Sequence, residues 1–341
     1  MEISVSIVLR SFGALALAFP LCAQVGLTGA GATFPAPIYQ KWFSAYQSVG
    51  NVQINYQAIG SGGGIKSVTE GTVDFGASDA PLTDDQLAAY KSKNKHDVLL
   101  FPTVLGAAVP SYNVPGVTGQ LNFTPEALAG IYLGEIKKWN DARIASANPR
   151  VKLPDTDILV IHRSDGSGTT YCWTDYLSKV SEQWKSKVGK NTSVEWPAGV
   201  GAKGNDGVAG LLKQQEGSIG YVELIYAVKN QLPFGKVKNK SGEFVKAELK
   251  SVTAAASAMK EMPADFRVSI TDGVGSGVYP ISTFTWLLVP AHYGDSAKAQ
   301  AVKGFLKWAI TNGQNQVESL EYAKLPKTVV AQEEKQIARI Q

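Results

Sequence analysis

The sequence is poor in the residues that metal-dependent enzymes and cysteine or histidine catalysts use. Its 341 residues include only two cysteines and three histidines. His96, His162 and His292 do not have the spacing of metal ligands. The segment GASDA at 76–80 ends in alanine, where the nucleophile turn of serine hydrolases has a second glycine. The sequence therefore predicts neither a metal site nor a catalytic nucleophile.

Charge runs and nucleotide motifs are also missing. The formal net charge is +4, from 33 basic and 29 acidic residues, and no basic block stands out. Nucleic-acid binding is therefore not expected. There is no P-loop motif, and the segment GAGATF lacks the third glycine of the dinucleotide fingerprint. We accordingly expect no cofactor. Hydrophobic and charged shares of 44% and 18% are those of an ordinary globular protein.

The first 23 residues differ from the rest of the chain. One early arginine precedes an apolar stretch from Phe12 to Leu21, and Cys22-Ala23 follows. This pattern predicts a secretory signal peptide, residues 1–23, cleaved near Ala23. Lipid attachment at Cys22 and a buried N-terminal strand are the alternatives. After cleavage Cys172 has no disulfide partner, and its helical surroundings predict a small buried hydrophobe.

Strands alternate with helices along the mature chain. Period-two alternation predicts a strand at 52–59, and ILVIH predicts another at 158–162. Helical spacing of apolar residues predicts helices at 37–46 and 297–310. Thr124 and Pro125 mark the start of a further helix. This alternation predicts an α/β fold with parallel-rich sheets.

Four loops rich in glycine, serine and threonine stand at predicted strand-to-helix junctions. They are TGAGATFP at 28–35, IGSGGGIK at 59–66, DFGASDAP at 74–81 and RSDGSGTT at 163–170. Glycine permits close approach of a ligand, and N–H groups at a helix start attract anions. Arg163 adds a guanidinium that can hold an oxyanion through two parallel N–H bonds. In GNDG, at 204–207, Asn205 or Asp206 is predicted to cap a helix.

These loops, in this order, resemble the phosphate-binding proteins of bacterial ABC-type phosphate uptake systems. Long strings carry the resemblance over nearly the whole mature chain. They are LTGAGATFPAPIYQKW at 27–42, VDFGASDAPLT at 73–83, YLGEIKKWND at 132–141, RSDGSGTT and GAKGNDGVAG at 201–210. The resemblance implies a two-lobed α/β "Venus flytrap" fold with two hinge strands, of the type II-like periplasmic binding class.

The resemblance also implies the lobes and the site residues. A first lobe of residues 24–100 and 286–341 and a second of residues 106–279 would be joined by hinge segments 101–105 and 280–285. Asp165 would orient Arg163. The implied phosphate contacts are Thr33, Phe34, Ser61, Asp79, Arg163, Ser167, Gly168 and Thr169.

The resemblance implies an exported, periplasmic binding protein, monomeric, that delivers inorganic phosphate to ABC transporter permease subunits in the inner membrane. It is not expected to be an enzyme. The alternatives are a binder of another tetrahedral oxyanion, such as sulfate or molybdate, and a secreted phosphoester hydrolase. Asp79 favours phosphate, because an ionised carboxylate can accept a hydrogen bond from a P–OH group and sulfate has no proton to donate.

Overall fold

The computed structural model describes residues 24–341, so the predicted signal peptide at 1–23 lies outside the described residues. Within 24–341, strands and helices alternate as predicted, and the α/β class is confirmed. The strands are β1 Val25–Gly31, β2 Val52–Ala58, β3 Phe75–Ser78, β4 Val98–Asn113, β5 Asn122–Phe123, β6 Leu159–Arg163, β7 Val200–Ala202, β8 Ser218–Glu223, β9 Lys236–Lys238, β10 Phe244–Val245 and β11 Ser282–Pro290.

The helices come between these strands and follow them. They are α1 Ala36–Gly50, α2 Ser61–Glu70, α3 Asp84–Asn94, α4 Pro125–Tyr132, α5 Ala142–Ala145, α6 Gly168–Val180, α7 Glu182–Lys187, α8 Gly204–Gln214, α9 Leu224–Lys229, α10 Leu249–Ser257, α11 Ser296–Ile310 and α12 Lys327–Ile337. Two short 3-10 helices, Gly313–Gln316 and Glu318–Leu320, follow α11. No helix in the described part of the chain is both long and apolar enough to cross a membrane.

One eight-stranded sheet runs through the molecule in the order β2-β1-β3-β11-β4-β8-β6-β7, and β10-β9-β5 form a second, small sheet. The outer strands of the large sheet are parallel, as the alternation predicted. Its centre is antiparallel, because β11 runs opposite to both β3 and β4, and β4 runs opposite to β8. The sheet is therefore mixed, with parallel pairs on either side of an antiparallel centre.

The central strand β4 joins the two halves of this sheet. Its first part, Val98–Ala107, pairs with β11, and its second part, Ala108–Asn113, pairs with β8. Every residue of β4 except Asn113 is buried, which explains the continuous apolar run in its sequence. The hinge segments implied by the resemblance, 101–105 and 280–285, fall within β4 and at the start of β11. The position of the hinge within them remains a prediction.

The predicted helix faces are buried against the sheet. In α1, Tyr39, Trp42, Phe43 and Tyr46 are buried, and aromatic contacts link Phe43 and Tyr46 to Phe305 of α11. The N-cap of α4 is Thr124, whose hydroxyl accepts from the Ala127 N–H.

Cys172 is buried in α6, and burial raises the pKa of its thiol well above the ordinary value. The prediction of a small buried cysteine is confirmed.

Candidate functional site

All four predicted loops lie at strand-to-helix junctions, and three helix N-termini meet beside them. Chain segments 28–35, 59–66 and 163–170 connect β1 to α1, β2 to α2 and β6 to α6, while 74–81 follows β3 toward α3. The starts of α2, α6 and α8 are joined by hydrogen bonds among these loops. Aligned peptide dipoles make each helix start partially positive, so the arrangement favours an anion.

Ser61, at the start of α2, links the loop after β3 to the start of α6. Its Oγ accepts from the Asp79 N–H at 3.2 Å and from the Gly168 N–H at 3.0 Å. Gly168 has to be glycine, because a Cβ there would lie 2.5 Å from both Ser61 Oγ and Asp79 Cβ. A serine hydroxyl has two acceptor positions, and both are occupied here. Its hydrogen therefore remains to be donated, and Asp79 Oδ2 lies 3.5 Å away.

Asp79 is a buried carboxyl group at the centre of the site. It is 1% exposed, and its Oδ1 accepts a 2.8 Å hydrogen bond from the Thr285 hydroxyl on β11. Burial raises the pKa of Asp79 to about 7, against the lowering effects of the Thr285 hydrogen bond and the charge of Arg163. Asp79 does not cap α3, since Thr83 and Gln86 form a capping box there. Asp79 is therefore free to act as an acceptor or, when protonated, as a donor.

Arg163, at the end of β6, is held in one orientation by Asp165. Its Nε and Nη2 donate to the two Asp165 oxygens at 2.7 and 2.5 Å, and Asp165 also accepts from the Gly204 N–H at 3.0 Å. The Arg163 side chain is 1% exposed and that of Asp165 is 12% exposed, so this is not a surface ion pair. Burial favours a higher pKa for Asp165, but Arg163 outweighs burial and holds the pKa below its usual value.

The start of α6 brings Ser167, Gly168 and Thr169 into the same buried region. The Ser167 hydroxyl caps the helix by accepting from the Thr170 N–H at 3.1 Å. The Thr169 hydroxyl lies 3.5 Å from Arg163 Nη1. Thr170 and Tyr221 share a 2.7 Å hydroxyl contact, and Tyr221 also accepts from the Arg163 backbone N–H. These bonds tie the start of α6 to the end of β6.

Thr33 and Phe34 lie between β1 and α1, and both are buried. Two tyrosines hold their carbonyl groups: Tyr226 donates to Thr33 O and Tyr322 to Phe34 O, each at 2.6 Å. The C=O and N–H groups of one peptide point in opposite directions. The Tyr226 bond therefore directs the Phe34 N–H away from Tyr226.

The structure brings all the residues implied by the resemblance into one connected network. That Asp79, Arg163 and the other residues bind a ligand is a prediction that these contacts do not test. The network offers many donors, from hydroxyls, backbone N–H groups and a guanidinium. Of its two site carboxyl groups, Asp165 is paired with Arg163, which leaves Asp79 as the acceptor for a ligand. Within residues 24–341, no group of three or more histidine, cysteine, aspartate or glutamate side chains is placed to hold a metal ion. The chemistry that fits is capture of a tetrahedral oxyanion that carries a proton.

The predicted cap at Asn205 or Asp206 is wrong. The N-cap of α8 is Lys203, without a side-chain capping bond, and Asn205 is the second residue of the helix. Asn205 is fully buried and donates to Thr33 and Thr169. Sequence reasoning also missed Tyr226 and Thr285. The threonines inside the apolar strand TFTWLL, Thr283 and Thr285, were the available signal for Thr285, whereas nothing in the sequence marked Tyr226.

Comparisons with known proteins agree with the fold. A family model for the PBP superfamily domain matches residues 22–312. The phosphate-binding protein PstS of Xylella fastidiosa strain Temecula1 is 46% identical over 311 residues, which cover 91% of this chain and 84% of that protein. The phosphate-binding protein PstS of Pasteurella multocida is 45% identical, covering 89% of this chain and 87% of its own.

Solved structures show the same fold at lower sequence identity. A phosphate-binding protein from Stenotrophomonas maltophilia matches with a TM-score of 0.69 at 20% identity, covering 91% of this chain and 93% of its own. The high-affinity periplasmic phosphate-binding protein PfluDING, solved with phosphate bound, matches with a TM-score of 0.73 at 22% identity. The matched shares are 90% of this chain and 92% of that one.

Proposed function

The chain belongs to the PBP superfamily and, within it, to the phosphate-binding proteins named PstS, and from this premise we propose that it captures inorganic phosphate between two lobes. It hands the phosphate to the permease of an ABC-type transporter, working as an exported, periplasmic, monomeric binding protein. It acts by binding and release, without chemical change to the ligand. The phosphate contacts are the eight residues Thr33, Phe34, Ser61, Asp79, Arg163, Ser167, Gly168 and Thr169.

The observation that carries this proposal is the polarity of the buried network. Ser61 and Thr33 each accept two hydrogen bonds from N–H groups, so their hydroxyl hydrogens are left to donate. Arg163 adds a charged donor, and Asp79 is the acceptor among these groups. A ligand that satisfies this set needs several acceptor oxygens and one proton, as hydrogen phosphate has.

Contacts between the proposed lobes support a closing mechanism. The first lobe is residues 24–100 with 286–341, the second is residues 106–279, and segments 101–105 and 280–285 act as hinges. Hydrogen bonds that cross between these lobes at the site include Gly62 N to Gly166 O at 2.9 Å, Gly168 N to Ser61 Oγ at 3.0 Å, and Tyr226 to Thr33 O at 2.6 Å. A ligand held by both lobes shifts the population toward the closed form.

Calorimetric titration with phosphate, sulfate and molybdate tests the proposal. We expect one phosphate per chain, with sulfate and molybdate much weaker. A parallel assay with a generic phosphomonoester, with and without added divalent metal, should show no turnover beyond that of a mock purification. Tight binding of sulfate or molybdate, without binding of phosphate, would show that the ligand is a different oxyanion. Turnover that disappears in a Ser61→Ala variant would show that the protein is a phosphoester hydrolase.

A further inference from the structure

Asn205 is a fully buried side chain whose amide orientation is determined by its surroundings. Its Oδ1 accepts a 3.0 Å hydrogen bond from the backbone N–H of Glu223. A backbone N–H can only donate, so the oxygen of the amide has to face Glu223 and the nitrogen has to face the other way. Both hydrogens of Nδ2 are therefore directed at the candidate site.

The two Nδ2 hydrogens are donated to two hydroxyls from different parts of the chain. Nδ2 lies 2.9 Å from Thr33 Oγ1, in the loop after β1, and 3.2 Å from Thr169 Oγ1, at the start of α6. Thr33 and Thr169 are themselves 4% and 0% exposed. Asn205 thus bridges the two lobes at a point where both present a hydroxyl group.

The hydrogen-bond capacity of these hydroxyls decides what they can do. A threonine hydroxyl accepts two hydrogen bonds and donates one. Thr33 Oγ1 accepts from the Asn205 backbone N–H at 3.3 Å and from Nδ2, which occupies both positions. Thr169 Oγ1 accepts from Asn205 Nδ2 and from Arg163 Nη1 at 3.5 Å. With their acceptor positions filled, each hydroxyl has only its hydrogen left to give.

We propose that Asn205 is a positioning residue that makes the Thr33 and Thr169 hydroxyls donors toward the bound oxyanion, without touching the oxyanion itself. The proposal deepens the proposed function and rests on it. Both hydrogens and one acceptor position of the amide are used by protein groups, so Asn205 acts through the two threonines. An asparagine here directs the threonine hydrogens at ligand oxygens that accept hydrogen bonds. A carboxylate at the same position would accept those hydrogens itself.

An Asn205→Asp variant tests this directly, with inorganic phosphate as the probe. The new oxygen takes the place of Nδ2, accepts from both threonine hydroxyls and turns their hydrogens away from the ligand. Loss of two donors to a charged ligand, with an added negative charge nearby, should lower phosphate affinity by about a hundredfold or more. Wild-type affinity in this variant would refute the proposal.

Asn148→Asp is the matched control. Asn148 is 4% exposed, and its side-chain amide makes three similar hydrogen bonds: Oδ1 accepts from Asn122 N, and Nδ2 donates to Asn122 O and Ile144 O. Its partners lie in β5 and α5, outside the candidate site. The control variant therefore reproduces the introduction of a buried carboxyl. It should lower the thermal unfolding midpoint and leave phosphate affinity at the wild-type value; a comparable affinity loss in both variants would refute a specific role for Asn205.

A double-mutant cycle covers the case in which Asn205→Asp does not fold. Asn205→Ala should weaken phosphate binding about tenfold in the wild-type background, because free hydroxyls can rotate away from the ligand. In a Thr33→Val, Thr169→Val background, which keeps the side-chain shapes, the same change should weaken it less than about twofold. Equal losses in both backgrounds would show that Asn205 does not act through the hydroxyls. Failure of the proposed function appears differently, as no phosphate binding by the wild-type protein.

Discussion

The pKa of Asp79 predicts how strongly the protein distinguishes phosphate from sulfate as the pH changes. The side chain is 1% exposed, and burial raises its pKa to about 7. Phosphate brings its own proton to the site between pH 7 and pH 9, so an ionised Asp79 can accept from it. Sulfate brings none, so its complex needs the proton on Asp79. Sulfate binding therefore requires the protonated carboxyl, and this form becomes rare above pH 7.

The size of the effect follows from proton linkage. Above the pKa, the protonated fraction of Asp79 falls tenfold per pH unit, which is about 1.4 kcal/mol per unit. With a pKa of about 7, the protonated fraction falls from about one half at pH 7 to about one hundredth at pH 9. Sulfate affinity should therefore fall about fiftyfold over this interval, or about 2.3 kcal/mol. Phosphate affinity should change much less over that interval. Below pH 7 Asp79 is mostly protonated, so sulfate affinity should level off and the advantage of phosphate should be smaller.

Titrations with both anions from pH 5 to pH 9, at constant ionic strength and in buffers free of other oxyanions, measure this ratio. Asp79→Asn should bind sulfate with an affinity that does not depend on pH over this interval, because an amide both donates and accepts. Asp175→Asn is the control, since the buried Asp175 has its pKa lowered to about 2 and does not titrate in this interval. A wild-type affinity ratio that is the same at pH 5 and pH 9 would refute the role given to Asp79.

Two further predictions concern Arg163 and Tyr226. Arg163→Ala should lower phosphate affinity at least about a hundredfold, on the order of 3 kcal/mol, by removing a buried charged donor; Arg143→Ala, which removes a similar but exposed two-bond pair with Asp141, should not. In stopped-flow binding assays, Tyr226→Phe should raise the phosphate off-rate about three- to tenfold, the effect of one neutral hydrogen bond across the closed cleft. Tyr322→Phe removes a bond of equal length within one lobe and should change the off-rate less; the reverse order would contradict this account of closure.

Local chemistry explains which parts of the fold could be predicted from sequence. The strand predicted at 52–59 from alternation alone is found at 52–58, and the start of α4 was predicted from Thr124 and Pro125. These features depend on residues within a few positions of one another. The match to PstS proteins, made on five sequence strings, is confirmed by the family model and by identities of 45–46% over about nine-tenths of the chain.

The wrong prediction at Asn205 shows where local reasoning fails. Asparagine beside glycine is typical of a helix cap, and that preference holds when the side chain faces solvent or the helix end. Here the chain returns so that Asn205 meets Thr33, 172 positions away in sequence. That contact depends on the packing of α8 against β8 and β6 beside the loop after β1, which strand order determines and composition does not. Its Oδ1 accepts from the Glu223 N–H and its Nδ2 donates to the two threonine hydroxyls, so the amide oxygen that would cap a helix is already occupied.

Asp79 illustrates a second limit, because the effect of burial on its pKa depends on contacts that the sequence does not show. From the sequence alone, an aspartate is expected to be ionised at neutral pH. The structure buries it against Thr285 on β11, 206 positions away, and leaves Arg163 as the nearby positive charge. Desolvation outweighs both of these, so the free site holds its acceptor close to half-protonated at neutral pH. The consequence is that exclusion of sulfate is conditional on pH: the same burial that shields the ligand from water weakens the discrimination that the carboxylate provides, and full discrimination requires alkaline conditions.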